Sequence, residues 1–153
     1  MKRKYVIGGI AMLLLVAALW AYREFNRERV DSKNVEPKFR TEAIDLLREF
    51  TNDEKLASQK YSGQDIIIAV SGNIKEIVKN ENGYQTILIG DLQGASSVRC
   101  LMDTLYSDAA NQLQQGQRVR MKGNFNGYKS DDLGIGADIE LNFCVLDSPA
   151  VKK

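Results

Sequence analysis

Residues 66–90 read IIIAVSGNIKEIVKNENGYQTILIG, and the period of this stretch decides the fold. Ile66, Ile68 and Val70 alternate with Ile67, Ala69 and Ser71, and the run continues through Ile74 and Val78. A period of two belongs to a β-strand. Gly72 interrupts the run where the first strand of a small barrel bends or bulges. Asn80-Glu81-Asn82-Gly83 is a hairpin turn, with Asn-Gly as its strongest element, and Thr86 to Gly90 is the second strand.

Downstream the pattern repeats. Asp91 to Ser96 is a loop and Ser97 to Met102 a third strand. Thr104 to Gln115 is helix-like, with Leu105, Ala109, Ala110 and Leu113 on one side and Gly116 as its C-terminal cap. Arg118 to Phe125 alternates, with Val119, Met121, Gly123 and Phe125 on one face, and Ile139, Leu141, Phe143 and Val145 make a fifth strand. Five strands with a helix between the third and fourth match the order of an OB-fold, a five-stranded Greek-key barrel. A plain sandwich and an SH3-like barrel are the alternatives.

Upstream, Phe39, Ala43, Leu46, Leu47 and Phe50 recur at helical spacing, and Leu56, Ala57 and Tyr61 continue a second stripe. Thr51-Asn52-Asp53 interrupts them and offers an N-cap before Glu54, so one broken helix or two short ones end near Ser62-Gly63. From Arg23 to Lys60 nine bases balance nine acids, and Arg23 to Pro37 reads as a tether. Val6 to Ala21 is sixteen residues without a charge, flanked by Tyr5 and Tyr22 and preceded by Lys2, Arg3 and Lys4. That is the length of a short transmembrane helix or a long signal-peptide core. Val16-Ala17-Ala18 is a passable cleavage site, and no cysteine follows the run for lipoprotein processing. Trp20 and Tyr22, followed by Arg23, Arg27 and Arg29, favour a retained anchor. The chain therefore divides into an anchor or uncleaved signal (1–22), a charged linker (23–40), a helix packing on the barrel (41–62), the barrel (63–148) and a tail (149–153).

The formal charge of +1 hides an acidic barrel: Tyr61 to Ser148 holds seven bases against eleven acids, a net of −4. Nucleic-acid binders carry an excess of Lys and Arg, because counterion release from phosphates supplies most of their non-specific affinity. Nucleic acid is thus a disfavoured partner. The chain has no histidine, which removes His-based general bases, Ser-His and Cys-His pairs and imidazole metal sites. No enzyme signature, cofactor motif or metal motif stands out.

Candidate ligand-binding residues are Lys75, Tyr84 and Arg99 on the first three strands, where single strands bind an OB face, and Arg120 and Lys122, which with Arg118 form a basic stripe. That stripe suits anionic head groups or an acidic partner, and equally a solvated outer face. Asp131, Asp132 and Asp138 surround Leu133-Gly134-Ile135-Gly136 but fit no calcium-loop spacing, and read as turn residues. Cys100 and Cys144 fall late in the third and fifth strands, neighbours in an OB barrel. A disulfide would close about 45 residues and contribute roughly 3 to 4 kcal/mol. Strict alternation, however, puts Cys144 on the face opposite Phe143 and Val145, so two free thiols stand as the alternative.

The run Asp53-Glu54-x-x-Ala57-x-x-Lys60-Tyr61-x-Gly63, then Val70-x-Gly72-x-Ile74, Val98-x-Cys100, Leu113-x-x-Gly116-x-x-Val119-x-Met121-x-Gly123 and Leu141-x-x-Cys144 resembles the tRNA_anti-like OB-fold family over about Leu46 to Asp147. These are small bacterial envelope proteins, often with an N-terminal signal or anchor. The resemblance implies the fold and a setting, and supplies no catalytic residue. The expectation is a mainly β protein of the bacterial inner membrane, not an enzyme, held through residues 5–22 with its domain outside the cytoplasm. The domain would bind an envelope protein or small polar ligand. A nucleic-acid-binding module facing the cytoplasm is the alternative.

Overall fold

The computed structural model describes residues 2–25, 31–63, 66–130 and 135–147, with the backbone alone for residues 2–11 and Glu24. The first helix, α1, runs Lys2–Phe25. A short strand β1 (Phe39–Glu42) leads into α2 (Ala43–Asn52) and α3 (Glu54–Tyr61). The barrel strands are β2 (Ile67–Lys79), β3 (Gln85–Gly90), β4 (Ser97–Met102), β5 (Arg118–Ser130) and β6 (Ala137–Leu146), in the order β2-β3-β4-β6-β5, and β5 pairs back onto β2. The barrel is closed, with β4 and β6 parallel and its other pairs antiparallel. This is the OB order read from the sequence.

Closure depends on β2 serving two partners. Ile67 to Asn73 pair with β5, and Asn73 to Lys79 with β3. The strand bends between the halves, where the register shifts between Ile74 and Glu76. Gly72 lies at the bend, and a Cβ there would stand 2.6 Å from Ile89 Cγ2. The hairpin turn forms as expected: Gly83 N donates to Asn80 O at 3.0 Å and Tyr84 N to Asn80 Oδ1 at 2.8 Å, with Gly83 at φ +82°.

The helices close one side of the core. Asp53, extended at φ −154°, separates α2 from α3 and accepts a hydrogen bond from Leu56 N, so the broken helix is two short ones. Leu46, Leu47 and Phe50 face inward. The Phe50 ring stacks on Tyr61, Phe125 and Tyr128 with centroids 5.9, 5.1 and 5.2 Å away.

Three features differ from the sequence reading. First, a sixth strand, β1, lies parallel to β2, pairing Phe39 with Ile68 through Glu42 with Ser71. Its four residues, FRTE, carry one apolar side chain and no visible period. They extend the sheet because Phe39 packs edge-on to Tyr61 at 5.0 Å, Arg40 meets Asp147 at 3.0 Å and Arg118 meets Glu42 at 2.7 Å. Second, the element between β4 and β5 is a 3₁₀ helix, Thr104–Gln112, capped by Asp103. Of its residues only Ala110 is buried, too small an apolar face to hold an α-helix on the barrel. Third, the linker is held on the barrel from Asp31 onward: Ser32 is buried, and Tyr106 donates to Asp31 Oδ2 at 2.9 Å.

The expected membrane span, residues 5–22, includes seven residues described by backbone alone. Among the described residues no helix is long and apolar enough to cross a membrane. The tail at 149–153 lies outside the described residues.

A Cβ on Gly123 would stand 2.6 Å from Cys144 Sγ and 2.8 Å from Asn142 O, whereas one on Gly127 would meet nothing within 4 Å. Gly123→Ala should therefore lower the unfolding free energy by about 2 to 3 kcal/mol. Gly127→Ala should stay within about 0.5 kcal/mol of the parent. Urea unfolding of both variants checks this, and equal stabilities would count against the packing at β5 and β6.

Candidate ligand-binding face

On the outer surface of β2, β3, β4 and β6, side chains stand in register rows. Val78 pairs with Thr86, which pairs with Leu101. On β6 Leu101 lies opposite the irregular step at Asn142 and Phe143, since Cys100 pairs with Leu141 but Met102 with Cys144. Val78 and Leu101 remain 37% and 38% exposed, two apolar side chains left open to solvent on either side of Thr86. The next row is Glu76, Leu88, Arg99 and Glu140, followed by Ser97 and Asp138. The hairpin turn bounds one end of this face. At the other end lies an open cleft of about 280 Å³ lined by Ala95, Lys129, Ile135, Gly136 and Asp138.

Arg99 and Lys129 are each paired with an acid of this face. Arg99 Nη1 lies 3.3 Å from Asp138 Oδ2, and Lys129 Nζ lies 2.8 Å from Glu140 Oε1. The Lys129 hydrogen bond, with help from Asn126 and the Arg99 charge, outweighs burial and holds the Glu140 carboxyl below its usual range.

Of the five ligand-binding candidates read from the sequence, two meet on this face. Arg99 occupies its centre, and Tyr84, 46% exposed, stands at its hairpin edge. The other three are placed elsewhere. Lys75 gives its ammonium protons to Gly94 O, Ser96 O and Ser97 Oγ at 2.7, 2.9 and 3.1 Å, fastening the β3–β4 loop. Lys122 is buried beneath the linker, donating to Lys33 O at 2.9 Å and Val35 O at 3.1 Å, with Asp147 Oδ1 at 3.9 Å. Arg120 projects from β5 and donates from Nε to Ser71 Oγ at 3.1 Å. The basic stripe thus sits on a different wall from the apolar row, against β1 and the linker. Val78 and Leu101 are exposed face residues that a search for charges and aromatics misses, while Leu88 in the next row is buried. Their alternation, combined with the Asn80–Gly83 turn, is the signal that aligns them.

Asp138 is paired with Arg99, while Asp131 and Asp132 lie outside the described residues. Among the described residues no cluster of three His, Cys, Asp or Glu side chains is placed to hold a metal ion. Cys100 and Cys144 are both buried, free thiols. The alternation argument against their meeting fails because Phe143 adopts φ +53°, in the left-handed region. That residue takes one step out of the strand's period, so Cys144 faces the core like Leu141. Burial, with the Cys100 thiol within hydrogen-bonding reach, raises the Cys144 pKa well above that of an ordinary thiol.

Comparison with known proteins places this geometry. The family model described as tRNA_anti-like matches residues 1–134. No curated protein matches the chain. Among solved structures, a candidate nucleic acid-binding lipoprotein from Klebsiella pneumoniae is 20% identical over 71% of this chain and 91% of its own, with a TM-score of 0.53. An asparaginyl-tRNA synthetase from Entamoeba histolytica is 12% identical over 60% of this chain and 23% of its own, TM-score 0.39. A replication factor A related protein from Methanobacterium thermoautotrophicum is 17% identical over 54% and 82%, TM-score 0.34. The first likeness is one of fold.

Lys129→Met removes the largest cause of the Glu140 shift, so the Glu140 titration should move up toward 4.5. In the parent the folded pKa lies below the unfolded one. The stabilisation is therefore complete above the unfolded value and is lost as pH falls through the folded one. Carbon-detected NMR titration reads the shift, and an unchanged Glu140 would break the assignment.

Proposed function

The chain belongs to the tRNA_anti-like family, and on that footing we propose that it is a membrane-tethered OB-fold binding module. Its outer β2–β3–β4–β6 face holds an extended protein segment or a small polar ligand on the extracytoplasmic side of a bacterial inner membrane. One observation carries the binding half of this reading: the open row ends in two exposed apolar side chains, Val78 and Leu101, and the cations of the rows beyond it, Arg99 and Lys129, are each matched by an acid. Phosphates would have to displace Asp138 and Glu140 to reach those cations, without a counterion-release gain of the usual size. A protein strand or a neutral polar ligand meets no such obstacle.

The tether half is supported by α1. Its 24 residues reach about 36 Å at 1.5 Å per residue, against a hydrocarbon core of roughly 30 Å, and the apolar run Val6 to Ala21 within it lies partly where the backbone alone is described. Met12, Leu13, Leu14, Leu15 and Val16 are five consecutive residues, pointing in every direction around the axis, and all stay at least 57% exposed. A helix apolar on all sides and left uncovered by its own domain suits lipid. Lys2, Arg3 and Lys4 at its start favour the N-terminus inside, with Trp20 and Tyr22 at the far interface.

Fluorescence anisotropy with labelled single-stranded DNA and RNA at about 0.15 M salt should show binding no tighter than roughly 100 µM, the weak end of non-specific affinity. Micromolar, salt-dependent binding weakened by Arg99→Ala would establish the nucleic-acid alternative in its place. Alkaline carbonate should leave the full chain in the membrane pellet, and deletion of residues 2–25 should release it. Release of the intact full chain would remove the tether.

A further inference from the structure

We propose that Cys100 and Cys144 form an intramolecular disulfide that ties β4 to β6 inside the barrel, made while the chain folds. The oxidant comes from the extracytoplasmic setting proposed above, whereas the placement of the two thiols does not depend on it. In a regular parallel ladder, with Cys100 paired to Leu141, a cysteine three residues further on would face outward. The left-handed Phe143 absorbs one residue, so that Met102 pairs with Cys144 and the Cys144 side chain turns inward. Both cysteines are then fully buried, at 0% exposure, on adjacent strands. Gly123 leaves the room that Cys144 Sγ occupies, since a Cβ there would stand 2.6 Å from the sulfur.

The chemistry is thiol–disulfide exchange with a dithiol oxidase, or with oxidised glutathione, as the disulfide reagent. The thiolate of one cysteine attacks a reagent sulfur and forms a mixed disulfide, releasing one reagent thiolate. The second cysteine's thiolate then attacks the protein-side sulfur and expels the other. The protein loses two protons and two electrons, and the reagent disulfide becomes two thiols. Thiols at 0% exposure are out of reach of a dithiol reagent, so exchange precedes barrel closure, and the finished bond is shielded from the solvent. It would enclose about 45 residues and restrict the unfolded chain.

The full chain, reduced and unfolded in urea, is refolded in detergent with a mixture of reduced and oxidised glutathione. Its thiols are then alkylated in denaturant and counted by mass. The expected result is a monomer with no alkylated cysteine before reduction and two after it. Its thermal midpoint should fall by about 10 °C on reduction. Two alkylated cysteines in the folded monomer, or bonds only between chains, overturn the proposal. In cells, a domain open to external protease with both thiols free also overturns it. A domain protected from protease, with free thiols in cells but a bond after refolding, keeps the disulfide and removes the extracytoplasmic placement.

Discussion

Everything in this barrel depends on one strand being shared. β2 pairs with β5 through Asn73 and with β3 from Asn73 onward, so it must bend there or leave the sheet open. Gly72 admits Ile89 at that bend, and the register shift between Ile74 and Glu76 completes it. The same bend aligns Val78 with Thr86 and Leu101 on the outside, while Ile74, Ile87 and Ile89 fill the inside. The open apolar row is therefore a geometric consequence of closure.

The elements around the barrel complete it by different physics. The helices contribute the Phe50 stack, a contribution of aromatic area. The linker contributes polar contacts: the buried Lys122 beneath the carbonyls of Lys33 and Val35, and the half-buried Asp31 against the Tyr106 hydroxyl. A buried ammonium needs acceptors, and here the linker backbone supplies two of them. The linker residues from Asp31 to Val35 are thus part of the domain, which leaves few residues between α1 and the barrel.

How far the sequence can be read follows from these distinctions. The barrel strands are legible because β2, β5 and β6 alternate over five or more residues, and the Asn-Gly turn aligns β3 with β2. β1 is not, because four residues with one apolar side chain carry no period, and its order comes from partners far along the chain. The inward turn of Cys144 is hidden for a sharper reason. Left-handed backbone is signalled by glycine, and here a phenylalanine adopts it. Lys75 and Lys122 look like ligand cations because a sequence shows charge without showing what surrounds it. Each ammonium is in fact engaged with backbone carbonyls of its own chain. The apolar row emerges once the alternation of β2 and β3 is extended outward from the turn.

A fold used for nucleic acid elsewhere need not keep that chemistry, and the proposed reading rests on how the charges of this face are paired. An OB face binds single strands through unmatched cations and stacking aromatics on its central strands. This face has Tyr84 at its margin, and its two cations are neutralised from β6, a strand that must lie beside β4 for the barrel to close. Asp138 and Glu140 are two residues apart on one face of β6, so a single strand presents an acid in each of the two rows that follow Val78–Thr86–Leu101. On the proposed reading, specificity on such a surface comes from shape and from the row Val78–Thr86–Leu101, with charge serving to exclude polyanions.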